Sequence, residues 1–344
     1  MIIIHFFKDL IFYIKYKFNE KKFSIGFFCE NKFILNYLSP YIKNKSKNNR
    51  PILIISLEEI KHSFNKNIII YIFHTNFFRE IFFLTLKLKY LYSSTPDLEN
   101  TIFKKTKFSN CKYIYIQHSP VSLNLIYKDG AFDNFDAIQT ISKFQNMEIK
   151  EIIKKRNIKL KVFKSKYLYI KKIEATSVTA EKIDLLVAPS WNTSFYKLNC
   201  HKKLHDHLIK NSINYKLRPH PMSFKRNEIT TYELNKAGIK IDNTKLINFN
   251  SFNFLISDWS GIFIEYALVN RKKSFLINTP KKINNLSYSN YFHKPIEISK
   301  REIFGNTYDV DNLDSLVNKI VIEKNKKNNI YDKDIVKFIE DNFY

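Results

Sequence analysis

Short runs of consecutive apolar residues recur along the chain and alternate with stretches whose apolar positions repeat every three to four residues. The continuous runs lie at 24–29, 52–56, 68–73, 90–94, 113–117 and 137–142. The periodic stretches among them lie at 33–38 (running toward 42), 77–86 and 143–155. A second series follows, with runs at 183–188, 215–217, 254–257 and 274–277 and helical stretches at 202–211, 226–237, 262–269, 311–323 and 332–344. Apolar runs that do not alternate with polar residues predict strands buried on both faces, and their alternation with helices predicts parallel sheets covered on each side. Residues 163–180 are polar and weakly periodic and read as a junction. The division this predicts is an N-terminal Rossmann-like domain, 1–170, and a C-terminal one, 171–344. Pro96, Pro120, Pro189, Pro219, Pro221 and Pro280 each fall just after a predicted strand, where a residue without an N–H is tolerated.

Composition narrows the partners. The chain has 344 residues, enough for two ordinary cores, and its 57 Lys and Arg against 32 Asp and Glu give a formal charge of +25. Such a surface favours phosphorylated substrates, acidic lipid headgroups or nucleic acid. Part of the excess lies in solvated runs such as 324–329 (KNKKNN), so charge alone is no argument for nucleic acid, and none is expected as a partner. Cys29, Cys111 and Cys200 have no paired spacing, which fits a reducing compartment and argues against a disulfide scaffold or zinc ribbon. No run of uncharged apolar residues is long enough to span a membrane. The opening MIIIHFFKDLIFYIKYKF lacks a small-residue cleavage site and contains Lys8, Asp9 and Lys15. It reads either as an interfacial membrane helix or as a first helix packed on the body. The five glycines form no GxGxxG, Walker or GxSxG motif, which disfavours dinucleotide dehydrogenases, P-loop kinases and serine hydrolases.

Candidate chemistry collects at predicted strand ends, where open α/β sheets bind ligands. Residues 254–265 (FLISDWSGIFIE) run from a buried strand through Asp258-Trp259-Ser260-Gly261 into a helix. That places free N–H groups and hydroxyls at a helix N-terminus, a ready phosphate site, although Asp258 or Ser260 acting only as a cap explains the same residue types. Upstream strands end at Gln117-His118, at Ala188-Pro189-Ser190-Trp191 and at Arg218-Pro219-His220-Pro221. His118 reads as a general base or as a satisfied structural histidine. His220, fixed between two prolines and two residues from Arg218, suits a pyrophosphate.

Other clusters are weaker. His201 and His205 have the i,i+4 spacing of a metal pair, but no HExxH glutamate is present and lysines lie between them, so no metal is expected. Asp309 and Asp311 resemble a metal-chelating triplet, yet they read as capping acids that do not end a strand. The aromatic and lysine alternation at 167–172 fits a nucleic-acid face or an ordinary amphipathic segment.

Taken in order, Gln117-His118, Pro189-Ser190-Trp191, Arg218-Pro219-His220-Pro221 and Ser257-Asp258-Trp259-Ser260-Gly261 resemble the CDP-glycerol glycerophosphotransferase family, which includes teichoic acid primases and polymerases. The likeness spans residues 113–279. It implies two Rossmann-like domains with parallel sheets facing across a cleft, the glycosyltransferase B arrangement, with the acceptor on the N-terminal side and the nucleotide on the C-terminal side. It further implies that His118 is the base for the acceptor hydroxyl and that His220 stabilises the pyrophosphate. Arg218, Ser190, Trp191, Ser257, Asp258, Ser260 and Gly261 would line the donor site, with Glu265 on ribose hydroxyls, and neither metal nor cofactor is expected. The sequence departs from the family at Ser119-Pro120, where Gly usually follows the histidine, at Asn192, where an arginine is missing, and at Gly261, which replaces a second serine.

The reading that results is transfer of an alcohol phosphate, glycerol phosphate or similar, from a CDP-alcohol donor to a hydroxyl of a lipid-linked or surface glycan acceptor, with release of CMP. The protein is expected in the cytoplasm, peripheral at an anionic membrane surface on the inner face. Two alternatives are a nucleotide-sugar glycosyltransferase on the same fold and a non-catalytic basic protein that holds nucleic acid or acidic lipid.

Overall fold

The computed structural model describes residues 2–47, 50–60, 66–100, 103–175, 183–326 and 331–344. The first sheet has seven strands: β1 Ile25–Cys29, β2 Ile52–Ser56, β3 Ile68–Ile72, β4 Tyr90–Ser93, β5 Lys112–Tyr115, β6 Ala137–Thr140 and β7 Lys161–Lys164. They pair in the order β3-β2-β1-β4-β5-β6-β7, all parallel. The second sheet has five: β8 Ile183–Val187, β9 Tyr215–Leu217, β10 Phe252–Ser257, β11 Ser274–Asn278 and β12 Gly305–Asp309. Their order is β12-β11-β10-β8-β9, again parallel throughout. The fold is thus α/β with two Rossmann-like domains, as the apolar runs predicted.

Both faces of each sheet are covered, which explains the unbroken apolar runs. On the first sheet Phe28, Leu53, Leu91 and Tyr113 face one core, while Phe27, Ile54 and Ile114 face another. On the second, Leu186 and Leu255 belong to one core and Leu185, Val187 and Ile256 to the other. The core containing Leu186 also holds Ile141, Tyr167 and Tyr169, so apolar packing is continuous from the first sheet into the second. The rings of Tyr167 and Tyr169 therefore point inward, which removes the nucleic-acid reading of that segment.

Two strands went unpredicted, and both lie on sheet edges. β7 (KVFK) and β12 (GNTYD) each have one flank exposed, so their composition is polar. Asp309 consequently ends a strand, contrary to expectation. The junction segment contains the end of β7 and the helix Leu168–Ala175, while residues 176–182 lie outside the described residues. Of the single helix expected at 226–237 only Thr231–Lys236 forms, and a separate short helix, Pro221–Lys225, precedes it. The chain is broken at Asn227, whose φ is 54°, and restarted by a capping box between Thr230 and Glu233.

The N-terminal helix, Ile2–Asn19, packs on the body by one face only. Asp9, wholly buried, accepts hydrogen bonds from the backbone N–H of His74 at 3.0 Å, and from the N–H and hydroxyl of Thr75 at 2.7 Å. Tyr16 is buried beside Phe82 and accepts from the Lys87 N–H at 2.8 Å. The opposite face leaves Ile3, Phe7, Ile11, Ile14 and Phe18 exposed, 85 % in the case of Phe18. No helix among the described residues is long and apolar enough to cross a membrane.

Candidate active site

The order of the second sheet reverses between β8 and β10, and loops leaving the carboxyl ends at such a point diverge to open a crevice. Here the loop after β8 delivers Ser190 and Trp191, and the loop after β10 delivers Asp258, Ser260 and Gly261. Asp258 is wholly buried and ties the two loops together. Its carboxylate accepts from the Ser190 N–H at 2.7 Å and from the Thr193 hydroxyl at 2.6 Å. Burial pushes its pKa up, against these hydrogen bonds. Asp258 does not cap the following helix with its side chain, so the simple capping reading fails for this residue. Ser257 is also buried and donates to the Ala188 carbonyl at 2.8 Å, a second tie between the strand ends.

The helix Ile262–Asn270 starts at Gly261 without a side-chain cap; among the described residues only Ser260 Oγ approaches the Ile262 N–H, at 3.4 Å. Its positive end therefore faces the crevice little satisfied. Gly261 has an ordinary helical φ of −62°, so its lack of a side chain serves space rather than backbone freedom. A methyl group there would come within 2.5 Å of Ser119 Oγ and of Val121 Cγ1, both from the first domain. The two domains meet at this point.

His220 is the N-cap of the helix Pro221–Lys225, and its Nδ1 accepts from the Met222 N–H at 3.1 Å. The neutral ring must then carry its proton on Nε2 and present a donor. Burial first, then the charges of Lys282, His118 and Arg218, lower its pKa to about 3, so the ring is neutral at physiological pH. Arg218 pairs with Asp242 at 2.5 Å and with the Thr244 hydroxyl at 3.1 Å.

On the first domain, His118 follows β5 and is partly buried, with Nδ1 3.3 Å from the Tyr115 hydroxyl, which in turn donates to Tyr127 at 3.1 Å. Burial lowers its pKa to about 4, the Ser94 carbonyl opposing and Lys282 adding to the shift. A neutral imidazole in this position can accept a proton at neutral pH. The two histidines, predicted separately, share one electrostatic neighbourhood across the crevice.

Glu265 is buried and meets the Tyr167 hydroxyl at 2.7 Å, and that hydroxyl also lies 2.8 Å from the His118 carbonyl. One hydroxyl proton cannot serve both acceptors, so both bonds form only when Glu265 is protonated. Burial raises Glu265 to about 7, which makes that state accessible. In this conformation the carboxyl is occupied by Tyr167 rather than open to a ribose.

Sequence reasoning missed three groups in the crevice. Lys282, only 9 % exposed, donates to Ser190 Oγ at 3.2 Å and lies 4.4 Å from the centre of the Trp191 ring. Arg226 lies 4.4 Å from the same ring centre. Arg301 donates to the backbone carbonyls of Asp258 at 2.9 Å and Ile277 at 3.0 Å, and stacks on Trp259 at 4.0 Å. In a lysine-rich chain one more lysine carries no signal. The position of Lys282, four residues beyond the end of β11, is the cue a strand-end search could have used.

No protein-family model and no curated protein sequence matches the chain. Among solved structures it is similar to wall teichoic acid polymerase TagF in a variant form, with a TM-score of 0.56 at 13 % identity over 98 % of this chain and 92 % of that one. The S. aureus MnaA–UDP co-structure gives 0.53 at 10 % identity, covering 93 % and 95 %. UDP-N-acetylglucosamine 2-epimerase from Rickettsia bellii gives 0.51 at 9 %, also covering 93 % and 95 %. At these identities the likeness shows the fold, the glycosyltransferase B arrangement of two domains about a cleft.

Proposed function

We propose that the chain is a transferase that takes an alcohol phosphate from a CDP-activated donor, glycerol phosphate or a close relative, and passes it to a hydroxyl of a lipid-linked or surface glycan. The observations that carry the reading are that His118 of one domain lies within electrostatic reach of His220 of the other, and that Gly261, at the uncapped start of helix Ile262–Asn270, abuts Ser119, the residue after His118. The helix end offers N–H groups to a diphosphate, and the Nε2–H of His220 adds a neutral donor. His118 takes the proton of the acceptor hydroxyl. The hydroxyl oxygen bonds to the β-phosphorus, the bond from that phosphorus to the bridging oxygen breaks, and CMP leaves with the electron pair. That a structural neighbour of the same fold is a UDP co-structure supports a nucleotide in the cleft.

The acceptor side is served by the exposed face of helix Ile2–Asn19. An apolar stripe flanked by exposed Lys8, Lys15, Lys21 and Lys22 suits the interface of an anionic membrane, where a lipid-linked acceptor resides. The test is CMP release from CDP-glycerol in the presence of envelope glycan or lipid-linked acceptor. Activity should fall by about a hundredfold or more in His118→Ala, the scale of a lost general base. An inert CDP-glycerol beside turnover of a nucleotide sugar would select glycosyl transfer instead.

A further inference from the structure

Trp191 carries two cations on its indole ring, Lys282 and Arg226, each 4.4 Å from the ring centre. They come from different loops, one after β11 and one after the helix Pro221–Lys225. Lys282 is 9 % exposed, and its only hydrogen bond among the described residues is to the Ser190 hydroxyl. Neither cation has a carboxylate within ion-pair distance among the described residues. Asp258, Glu297 and Glu228 influence Lys282 only from further away, and Asp258 is already committed to Ser190 and Thr193. A buried ammonium without a paired anion is costly, and two like charges gathered on one ring add to the cost.

An anion with two charged centres removes both costs at once. We infer that Lys282 and Arg226, held on the Trp191 platform, bind the diphosphate of a nucleoside-diphosphate donor and neutralise the charge that grows on the departing nucleotide phosphate. Ser190 fixes the ammonium through its hydroxyl, and the indole holds both cations by its ring face, so the site is formed before the ligand arrives. This deepens the transferase reading and rests on it for the identity of the donor, but the diphosphate chemistry stands apart from the nucleobase.

The test separates the two. Inorganic pyrophosphate, CDP and cytidine are titrated into the intact protein, with heat and tryptophan fluorescence as readouts; the chain has two tryptophans, and Trp191→Phe identifies the signal. Lys282→Ala should weaken pyrophosphate and CDP by about tenfold or more and leave cytidine unchanged, while Lys282→Arg, which keeps the charge, should stay within a few-fold of the natural protein. Arg226 is exposed, so Arg226→Ala leaves the core untouched and should weaken pyrophosphate by a smaller factor. Pyrophosphate bound equally well by natural protein, Lys282→Ala and Arg226→Ala would overturn the inference, as would absence of any pyrophosphate or CDP binding. Pyrophosphate bound and lost with Lys282→Ala, while no cytidine nucleotide is preferred, would uphold the diphosphate site and reject the CDP-alcohol donor.

Discussion

Ser119 and Gly261 face each other across the cleft, with so little room that a methyl on Gly261 would lie 2.5 Å from the serine oxygen. Both residues are among those at which the sequence differs from the family pattern it resembles. The departures are adjacent in space and opposite in size.

Gly261→Ser should therefore wedge the domains apart and lower turnover by about tenfold or more, since misplacement of a reacting group by about 1 Å costs up to a hundredfold. Adding Ser119→Gly should recover part of the loss; the remainder belongs to Val121, whose methyl is equally close. Steady-state kinetics of the single and double variants checks this. Equal activity in all of them would mean that the contact between Gly261 and Ser119 does not position the two domains for turnover.

The pH dependence of kcat/KM follows from His118 and Lys282. His118, lowered to about 4, is a base only when neutral, so activity is present above that value and is lost as pH falls through it. Lys282, lowered by burial to about 8 despite Asp258, Glu297 and Glu228 and with the help of Arg226, binds anions only when charged. The alkaline limb should thus fall as pH rises through about 8. In Lys282→Arg it should move up beyond the accessible range, because a guanidinium stays charged to about pH 12. An unmoved alkaline limb would remove Lys282 from substrate binding.

Stability should fall with pH for a separate reason. Ser122 is held by carboxyls from both domains: its N–H donates to Glu297 at 2.9 Å and its hydroxyl to Glu148 at 2.8 Å. Burial first, and for Glu148 the neighbouring Glu297, raise them to about 8 for Glu148 and about 7 for Glu297. Both folded values lie above the unfolded one of 4.5, so the folded chain holds protons that the unfolded chain releases. This contribution is complete below pH 4.5 and is lost as pH rises toward about 8. Glu148→Gln should flatten the decline, by on the order of 1.4 kcal/mol per pH unit across the window. Denaturant melts at several pH values measure it; parallel declines in both proteins would contradict it.

The N-terminal stripe makes a surface prediction. Phe7→Glu with Ile11→Glu changes only exposed positions, so the melting temperature should hold while partition onto vesicles containing anionic lipid drops about tenfold or more. Vesicle sedimentation decides this, and equal partition would leave the stripe without that role.

How much of this was legible in the sequence follows burial. The central strand β2, buried along its whole length, matches its predicted bounds, whereas β7 and β12, on edges, carry the polar residues that edges require; β9, also on an edge, was legible because Tyr215 and Leu217 still face a core. Strand-end residues announced the crevice, because His118, Ser190, His220 and Asp258 stand where short apolar runs stop. Their partners did not: the bond from Tyr167 to Glu265 joins residues 98 apart in sequence, and that from Lys282 to Ser190 joins residues 92 apart. Such pairings exist only once the two sheets face each other.

The central claim is that the cleft binds a cytidine diphosphate through His220 and the start of helix Ile262–Asn270. Calorimetric titration with CDP-glycerol, CDP and CMP, without added metal, tests it most directly in the natural protein and in His220→Ala. Saturable binding that weakens by about tenfold in the variant is the expected result, one charge-facing hydrogen bond being worth about 1.5 kcal/mol. Failure of every cytidine nucleotide to bind the natural protein would contradict the claim.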